Sequence, residues 1–344
     1  MVKFEAIQAH NATLKSLAPG LVAAFVGGTS GISLSTALAL ARHTNAPKIY
    51  LIGRSQSAAD EAIASMQKIN PSAQPTFIQA DVSLLKNVDT VCEEIAAKEK
   101  ALNLLFMTPG VGPQGSRIET AEGLDRKVGL HYYTRMRFIN KLLPLLTAAA
   151  EDTTRDEKSR LSRVVSVLDP HGPLRTPFGS AALDYADLSL KNTWSVSRCA
   201  THATAMTDFY FEGLASKHPR TSFVHSYPSA VATGIMRDMP FSKVILKLSS
   251  PFLVPLEESG ERHLYLATHP SFAPRVEAAR AGVDAAVGSD GVKGSGSYWA
   301  NWDDNVFAPK KKLEETRGTG AVEKVTQHTE EVFKRICEEG KTYA

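Results

Sequence analysis

An α/β fold with a doubly wound parallel sheet is predicted for this chain, and three observations predict it. Strand-like and helix-like stretches alternate along most of the 344 residues, the pattern of a parallel sheet covered on both faces. The first strand-like run ends in a glycine cluster that opens directly into a helix-like run. The composition, 43% hydrophobic and 22% charged, is that of an ordinary globule with a full core, and the length suits one such sheet with insertions.

The elements follow in order. After an N-terminal arm, residues 1–20, the apolar run Leu21 to Val26 reads as a buried first strand, and Ile32 to Arg42, rich in Ala and Leu, as a helix. Lys48 to Ile52 and Thr76 to Gln79 are the second and third strands, each followed by a helix, Ser57 to Lys68 and Val88 to Glu99. Leu102 to Met107 is the fourth strand. A long helix from Leu124 to Ala149 follows, with Pro144 predicting a kink or break. Glu151 to Arg160 is polar enough for a surface loop. Arg163 to Leu168, Ser195 to Lys217 and Ser222 to Ser226 give a fifth strand, a second long helix and a sixth strand. Residues 235–260 combine Met236, Met239, Phe241, Ile245 and Phe252 with three prolines, which predicts a mobile apolar lid. A last strand falls around Ser295 to Trp299. Residues 300–344 form a C-terminal extension ending in a helix, Val322 to Glu339. Neither a repeat nor a low-complexity linker interrupts residues 21–344, so one domain is expected.

Composition narrows the function classes. A net charge of +3 is too small to predict a nucleic-acid partner, and the run Lys310-Lys311-Lys312 reads as a solvated loop. Cys92, Cys199 and Cys337 are sparse and unpaired, as in a reducing compartment. The first twenty residues lack a continuous apolar core and no run reaches the length of a spanning helix, so a cytoplasmic enzyme without a membrane partner is expected. None of the ten histidines has close ligand spacing, and no metal is expected.

The segment Gly27-Gly28-Thr29-Ser30-Gly31-Ile32-Ser33 lies where the first strand meets the first helix. Glycines there let the chain turn tightly and bring backbone amides to a pyrophosphate at a helix N-terminus. With a strand before it and a helix after it, the cluster predicts a Rossmann-type dinucleotide site. The turn resembles the Thr-Gly-x-x-x-Gly-x-Gly pattern of the short-chain dehydrogenase/reductase superfamily, with Val26 for the Thr and Ser33 for the last Gly.

The resemblance extends over roughly residues 20–235, in the manner of fungal secondary-metabolism members. It implies that Gly27, Thr29, Ser30, Gly31 and Ile32 hold the pyrophosphate. Arg54 and Ser55 after the second strand would favour the 2′-phosphate of NADP(H), and Asp81 and Val82 after the third would hold the adenine. Gly110 closes the fourth strand where the family has Asn-Asn-Ala-Gly. Pro228-Ser229-Ala230-Val231-Ala232-Thr233 resembles the Pro-Gly-x-Val-x-Thr segment over the nicotinamide, giving Pro228, Ala230, Val231 and Thr233 as cofactor contacts. Arg54 could alternatively be a surface residue paired with a carboxylate.

The same resemblance implies that the usual catalytic residues have been replaced. Aligning Asp187-Leu188 and Leu214-Ala215 with the retinol dehydrogenase-like branch sets Ala200 at the Tyr position and Thr204 at the Lys position. A rival register, Trp194 to Arg198, also lacks a phenol beside a lysine. Asp169 falls at the Ser position and His131 at the relay Asn position. A carboxyl at a strand end beside an apolar pocket can work as acid or base near neutral pH, so Asp169 is a candidate catalytic residue, with His131 or His171 as partner. Alternatively, Asp169 caps the turn with Pro170. His131 could share an anion-contact face with Arg135 or pack in the core, His202 lies on the far side of its helix, and Trp194 walls the pocket.

These readings predict an NADP(H)-binding enzyme acting on a small, hydrophobic substrate in a non-redox cyclisation or isomerisation, with Asp169 as acid/base. An NADPH-dependent carbonyl or alkene reductase with relocated proton donors is the alternative, and a non-catalytic NADP-binding protein a third. Family habit implies a homo-oligomer.

Overall fold

The computed structural model describes residues 1–112, 115–170, 183–231, 233, 253–280, 282–307 and 311–343. Strands β1 (Val22–Val26), β2 (Lys48–Gly53), β3 (Gln74–Gln79), β4 (Leu104–Met107), β5 (Arg163–Val167), β6 (Ser222–Ser226) and β7 (Ser297–Ala300) form a seven-stranded sheet in the order β3-β2-β1-β4-β5-β6-β7. Every pairing is parallel. The winding direction reverses between β1 and β4, and in such sheets ligands bind outside the carboxyl ends of the strands at that crevice.

Alternation along the strands explains the two layers. Val22, Ala24 and Val26 of β1 and Leu105 and Met107 of β4 face one core, with α4 (Leu85–Lys98), α6 (Thr134–Glu151), α7 (Val196–Lys217) and α11 (Ala321–Phe333). Ala23 and Phe25 with Leu104 and Phe106 face the other, with α1 (Phe4–Thr13), α2 (Gly31–His43), α3 (Gln56–Ile69) and α8 (Leu256–Thr268). Two short helices, α9 (Arg275–Ala278) and α10 (Lys311–Gly318), complete the described set together with α5, Arg126–Val128.

Several expectations change. The long helix begins as α5, passes through a π turn at Gly129–Tyr133 and continues as α6 across Pro144 without a break. Pro144 lies on the solvent face of the helix. The N-terminal arm carries α1, which docks on α8: Asn11 Nδ2 donates to the Glu261 carboxylate at 2.7 Å. Of the expected lid, residues 235–252 lie outside the described residues, while Leu256 to Gly260 open the buried helix α8. The C-terminal helix ends in a second π turn, Lys334–Glu338, and packs on the first core through Val325, Val332 and Phe333. No helix among the described residues is long and apolar enough to cross a membrane.

Candidate active site

The turn after β1 is shaped by its glycines. Gly27 has φ +79° and its N–H, like that of Gly28, donates to Ile52 O of β2. A methyl on Gly27 would sit 2.8 Å from Thr108 Oγ1, and one on Gly28 2.6 Å from Phe25 O. Gly31 has φ +59° and starts α2. Ser30, the residue before it, is extended and gives no side-chain cap, so the first-turn amides of α2 are left for an external acceptor. Thr29 packs against Gly53, tying the turn to the end of β2, and Ile32 is half-buried in the first turn. Ser33 is fully buried, and its Oγ has no hydrogen-bond partner in the structure. An orphaned hydroxyl beside free helix amides fits an anionic oxygen, so these residues suit a pyrophosphate group.

Arg54 is exposed just beyond β2, and its side chain pairs with no carboxylate among the described residues. Its carbonyl accepts from Gln79 Nε2 at 2.8 Å, and Ser55 caps α3 through Ala58 N–H. Asp81 is exposed after β3 and takes the Ser83 N–H at 3.0 Å; Val82 is buried and its carbonyl accepts from Thr134 Oγ1. On the opposite rim, Ser229 has φ +61°, a left-handed conformation at the family's glycine position. Ala230 O accepts the Val254 N–H, Pro228 and Val231 are half-buried, and Thr233 lies over the phosphate turn, within van der Waals reach of Gly31.

The loop after β4 is held by three basic residues spaced one helical turn apart. Lys127 Nζ donates to Val111 O and Gly112 O, both at 3.0 Å. His131, buried beside Gly110, accepts the Val111 N–H on Nε2 at 3.3 Å. Arg135 is buried and donates to Pro109 O at 2.7 Å, Ser166 Oγ at 2.7 Å, Val167 O at 2.8 Å and Leu130 O at 3.3 Å. Neither Lys127 nor Arg135 has a carboxylate within ion-pair distance among the described residues. Burial, with Arg135 and Lys127 nearby, pushes the His131 pKa well below its ordinary value. Burial also pushes Arg135 down to about 9 and lowers Lys127.

This arrangement bears on the expected roles of two residues. His131 gives its Nε2 to the Val111 N–H of the β4 loop. Arg135 offers no outward anion-contact face, since its guanidinium is drawn inward by carbonyls of both β-strand ends. Lys127 went unnoticed in the sequence, although the spacing Lys127, His131, Arg135 was a visible signal.

Asp169 is half-buried just beyond β5, and its backbone carbonyl accepts from Thr204 Oγ1 at 2.9 Å. The Asp169 and Glu212 charges add to burial in holding the Asp208 carboxyl well above its usual pKa, burial being the larger cause. Asp208 in turn contacts His225 Nδ1 at 2.6 Å beneath the site. Ala200 is exposed at the start of α7, with Cys199 buried beside it. His202 bridges Asp184 N–H and Leu188 O and serves the loop before α7; Trp194 packs against the first core. His171 lies outside the described residues, as does Ala232.

Comparison with known proteins gives a consistent picture. The model for short chain dehydrogenase matches residues 21–147. Oxidoreductase AN1596 of Emericella nidulans is 38% identical over 97% of this chain and 98% of its own length. Oxidoreductase andH of Emericella variicolor is 32% identical over 98% of each chain. Among solved structures, the NADPH-bound carbonyl reductase from chicken fatty liver superposes with a TM-score of 0.56 at 17% identity, covering 85% of this chain and 100% of that one.

Proposed function

Because the chain belongs to the short-chain dehydrogenase/reductase family, we propose that it is an NADP(H)-dependent oxidoreductase of small-molecule metabolism that works without the family's Tyr–Lys pair. The observation that carries this reading is the phosphate turn, with α2 amides uncapped by Ser30 and the orphaned Ser33 hydroxyl; the family resemblance sets Ala200 and Thr204 at the positions of the phenol and ammonium. The names of the full-length relatives, both oxidoreductases, support a redox role. A bound nicotinamide would supply or accept hydride. The chain's own residues would seat the pyrophosphate at Gly27 to Ile32, meet the 2′-phosphate with Arg54 and close over the turn with Thr233. A hydrophobic substrate, a ketone or electron-poor alkene, fits the apolar composition of the 235–260 segment.

One observation favours a second reading, non-redox cyclisation or isomerisation. Asp169 is half-buried at the strand end, within electrostatic reach of the buried Asp208 carboxyl, a placement that suits a carboxyl in acid/base work.

The deciding experiment titrates NADPH and NADP⁺ calorimetrically, then follows reduced-nicotinamide absorbance with a panel of polycyclic ketones and enones. Tight NADPH binding and stoichiometric oxidation are expected. Product formation with no NADPH consumed would establish the non-redox reading, and dinucleotide binding with no turnover of any compound would leave a binding protein.

A further inference from the structure

The family draws its proton from α7, and α7 here carries Ala200 and Thr204 instead. On the facing wall, Lys127 lies in the first turn of α5, one turn nearer the carboxyl edge of the sheet than His131. The residue is only 7% exposed. The ammonium is held by Val111 O and Gly112 O, the residues immediately after Gly110 at the crevice between β1 and β4. An ammonium has three N–H donors, and no described residue accepts the third. A buried lysine costs stability unless it is paired, and the two carbonyls are weak compensation for a full charge.

The charged and titratable groups around Lys127 come from every neighbouring element. Asp125 precedes it on the same segment, but its carboxylate caps Lys127 N–H and Val128 N–H and accepts Ile118 N–H. His131 and Arg135 follow on the helix, and Cys199 faces it from α7, adjacent to Ala200. Lys127 therefore stands between the β4 loop and the start of α7.

We propose that Lys127 is the proton donor of this cleft, supplying from the α5 wall the proton that the family takes from a tyrosine on α7. The inference rests on the redox reading above. A bound reduced nicotinamide would supply the hydride that reduces the substrate carbonyl and would itself be oxidised. The Nζ–H bond breaks while the O–H bond of the alcohol forms. The neutral amine left behind suits its buried surroundings and regains a proton from water after product leaves. The two carbonyl contacts aim the remaining N–H and favour the charged form, whereas burial, the largest cause, lowers the ammonium's hold on its proton.

The test is competitive acetylation of the intact protein with acetic anhydride across alkaline pH, read lysine by lysine by peptide mass spectrometry, with and without NADP⁺. Lys127 is expected to react with a midpoint below the ordinary lysine value. NADP⁺ at about ten times its Kd should slow its labelling about tenfold. An ordinary midpoint, no labelling in the folded protein, or labelling that saturating NADP⁺ leaves unchanged would each overturn the proposal. Failure of NADP⁺ to bind at all, measured by calorimetry on the same sample, would sink the redox reading instead. The midpoint without dinucleotide would still decide whether the ammonium opens to the cleft.

Discussion

Thr204 Oγ1 donates a 2.9 Å hydrogen bond to the backbone carbonyl of Asp169, joining α7 to the end of β5 at the two positions where the family resemblance expects a lysine and a serine. The contact gives Thr204 a structural role in place of a chemical one. Thr204→Val keeps the shape and removes the donor, leaving a carbonyl unpaired. The expected cost is about 1 kcal/mol, read as a lower denaturation midpoint with an unchanged slope and with NADPH affinity retained. Thr204→Lys, by contrast, forces an ammonium into a site that is 3% exposed and is expected to destabilise the fold by roughly 3 kcal/mol.

Two glycines of the phosphate turn should respond differently to the same added methyl. Gly31 has φ +59° but its methyl would meet nothing closer than 3.5 Å, so Gly31→Ala carries only the left-handed penalty of about 1 kcal/mol. Gly27 has φ +79°, and its methyl would lie 2.8 Å from Thr108 Oγ1. Gly27→Ala adds overpacking to the backbone penalty, roughly 3 kcal/mol in all. The order of the two denaturation midpoints checks the argument; equal midpoints would contradict it.

Arg54 is exposed beyond β2 and free of any carboxylate among the described residues, while its backbone is fixed by Gln79. A charged donor poised in this way suits a 2′-phosphate. Arg54→Ala should weaken NADPH binding about tenfold or more and leave NADH within about twofold, with the NADPH loss shrinking as salt is raised. Equal losses for both dinucleotides would place the 2′-phosphate elsewhere.

Stability should fall with acid because of His263. Its Nδ1–H donates to Ser259 O at 2.7 Å and its Nε2 faces Ser226 Oγ, and burial pushes its pKa from 6.5 down to about 4. The folded state keeps the ring neutral where the unfolded chain protonates it, so the unfolded state binds more protons between those values. The contribution is intact above about pH 6.5 and is lost as pH falls toward 4, up to about 3 kcal/mol. His263→Gln should flatten that part of the melting-temperature profile. A slope identical to that of the parent protein would show that another group dominates.

Much of the fold was legible because its determinants are local. The apolar runs ending in turn residues gave the strands, and the glycines at Gly27 and Gly31 mark positive φ that a side chain resists. Ser229 matched the family's glycine position by resemblance, and its left-handed backbone supplies the reason glycine is usual there. What escaped was set by tertiary contacts. Lys3 and Glu5 hide the short α1 behind polar residues, although Ile7 and Asn11 are buried against α8. Lys127 reads as a surface lysine until the π turn and the β4 loop bury it, and the contact of His131 Nε2 with the Val111 N–H is likewise set by that loop.

Arg135 offers the sharpest separation of fold from chemistry. Its guanidinium joins the ends of β4 and β5, through Pro109 O and Val167 O, on either side of the strand positions that border the cleft. Arg135→Met preserves much of the volume and removes the buried charge, which favours the variant, but it strands carbonyls that the planar fork had satisfied. The unmade hydrogen bonds outnumber any single gain, so a net destabilisation of about 2 kcal/mol is expected. Because the loop carrying Gly110 hangs from Pro109, NADPH affinity should fall with stability. Arg135→Lys supplies one point donor for several acceptors and should recover only part of both. An Arg135→Met protein as stable as the parent, with unchanged NADPH affinity, would mean that the β4 loop is held by Lys127 and His131 alone.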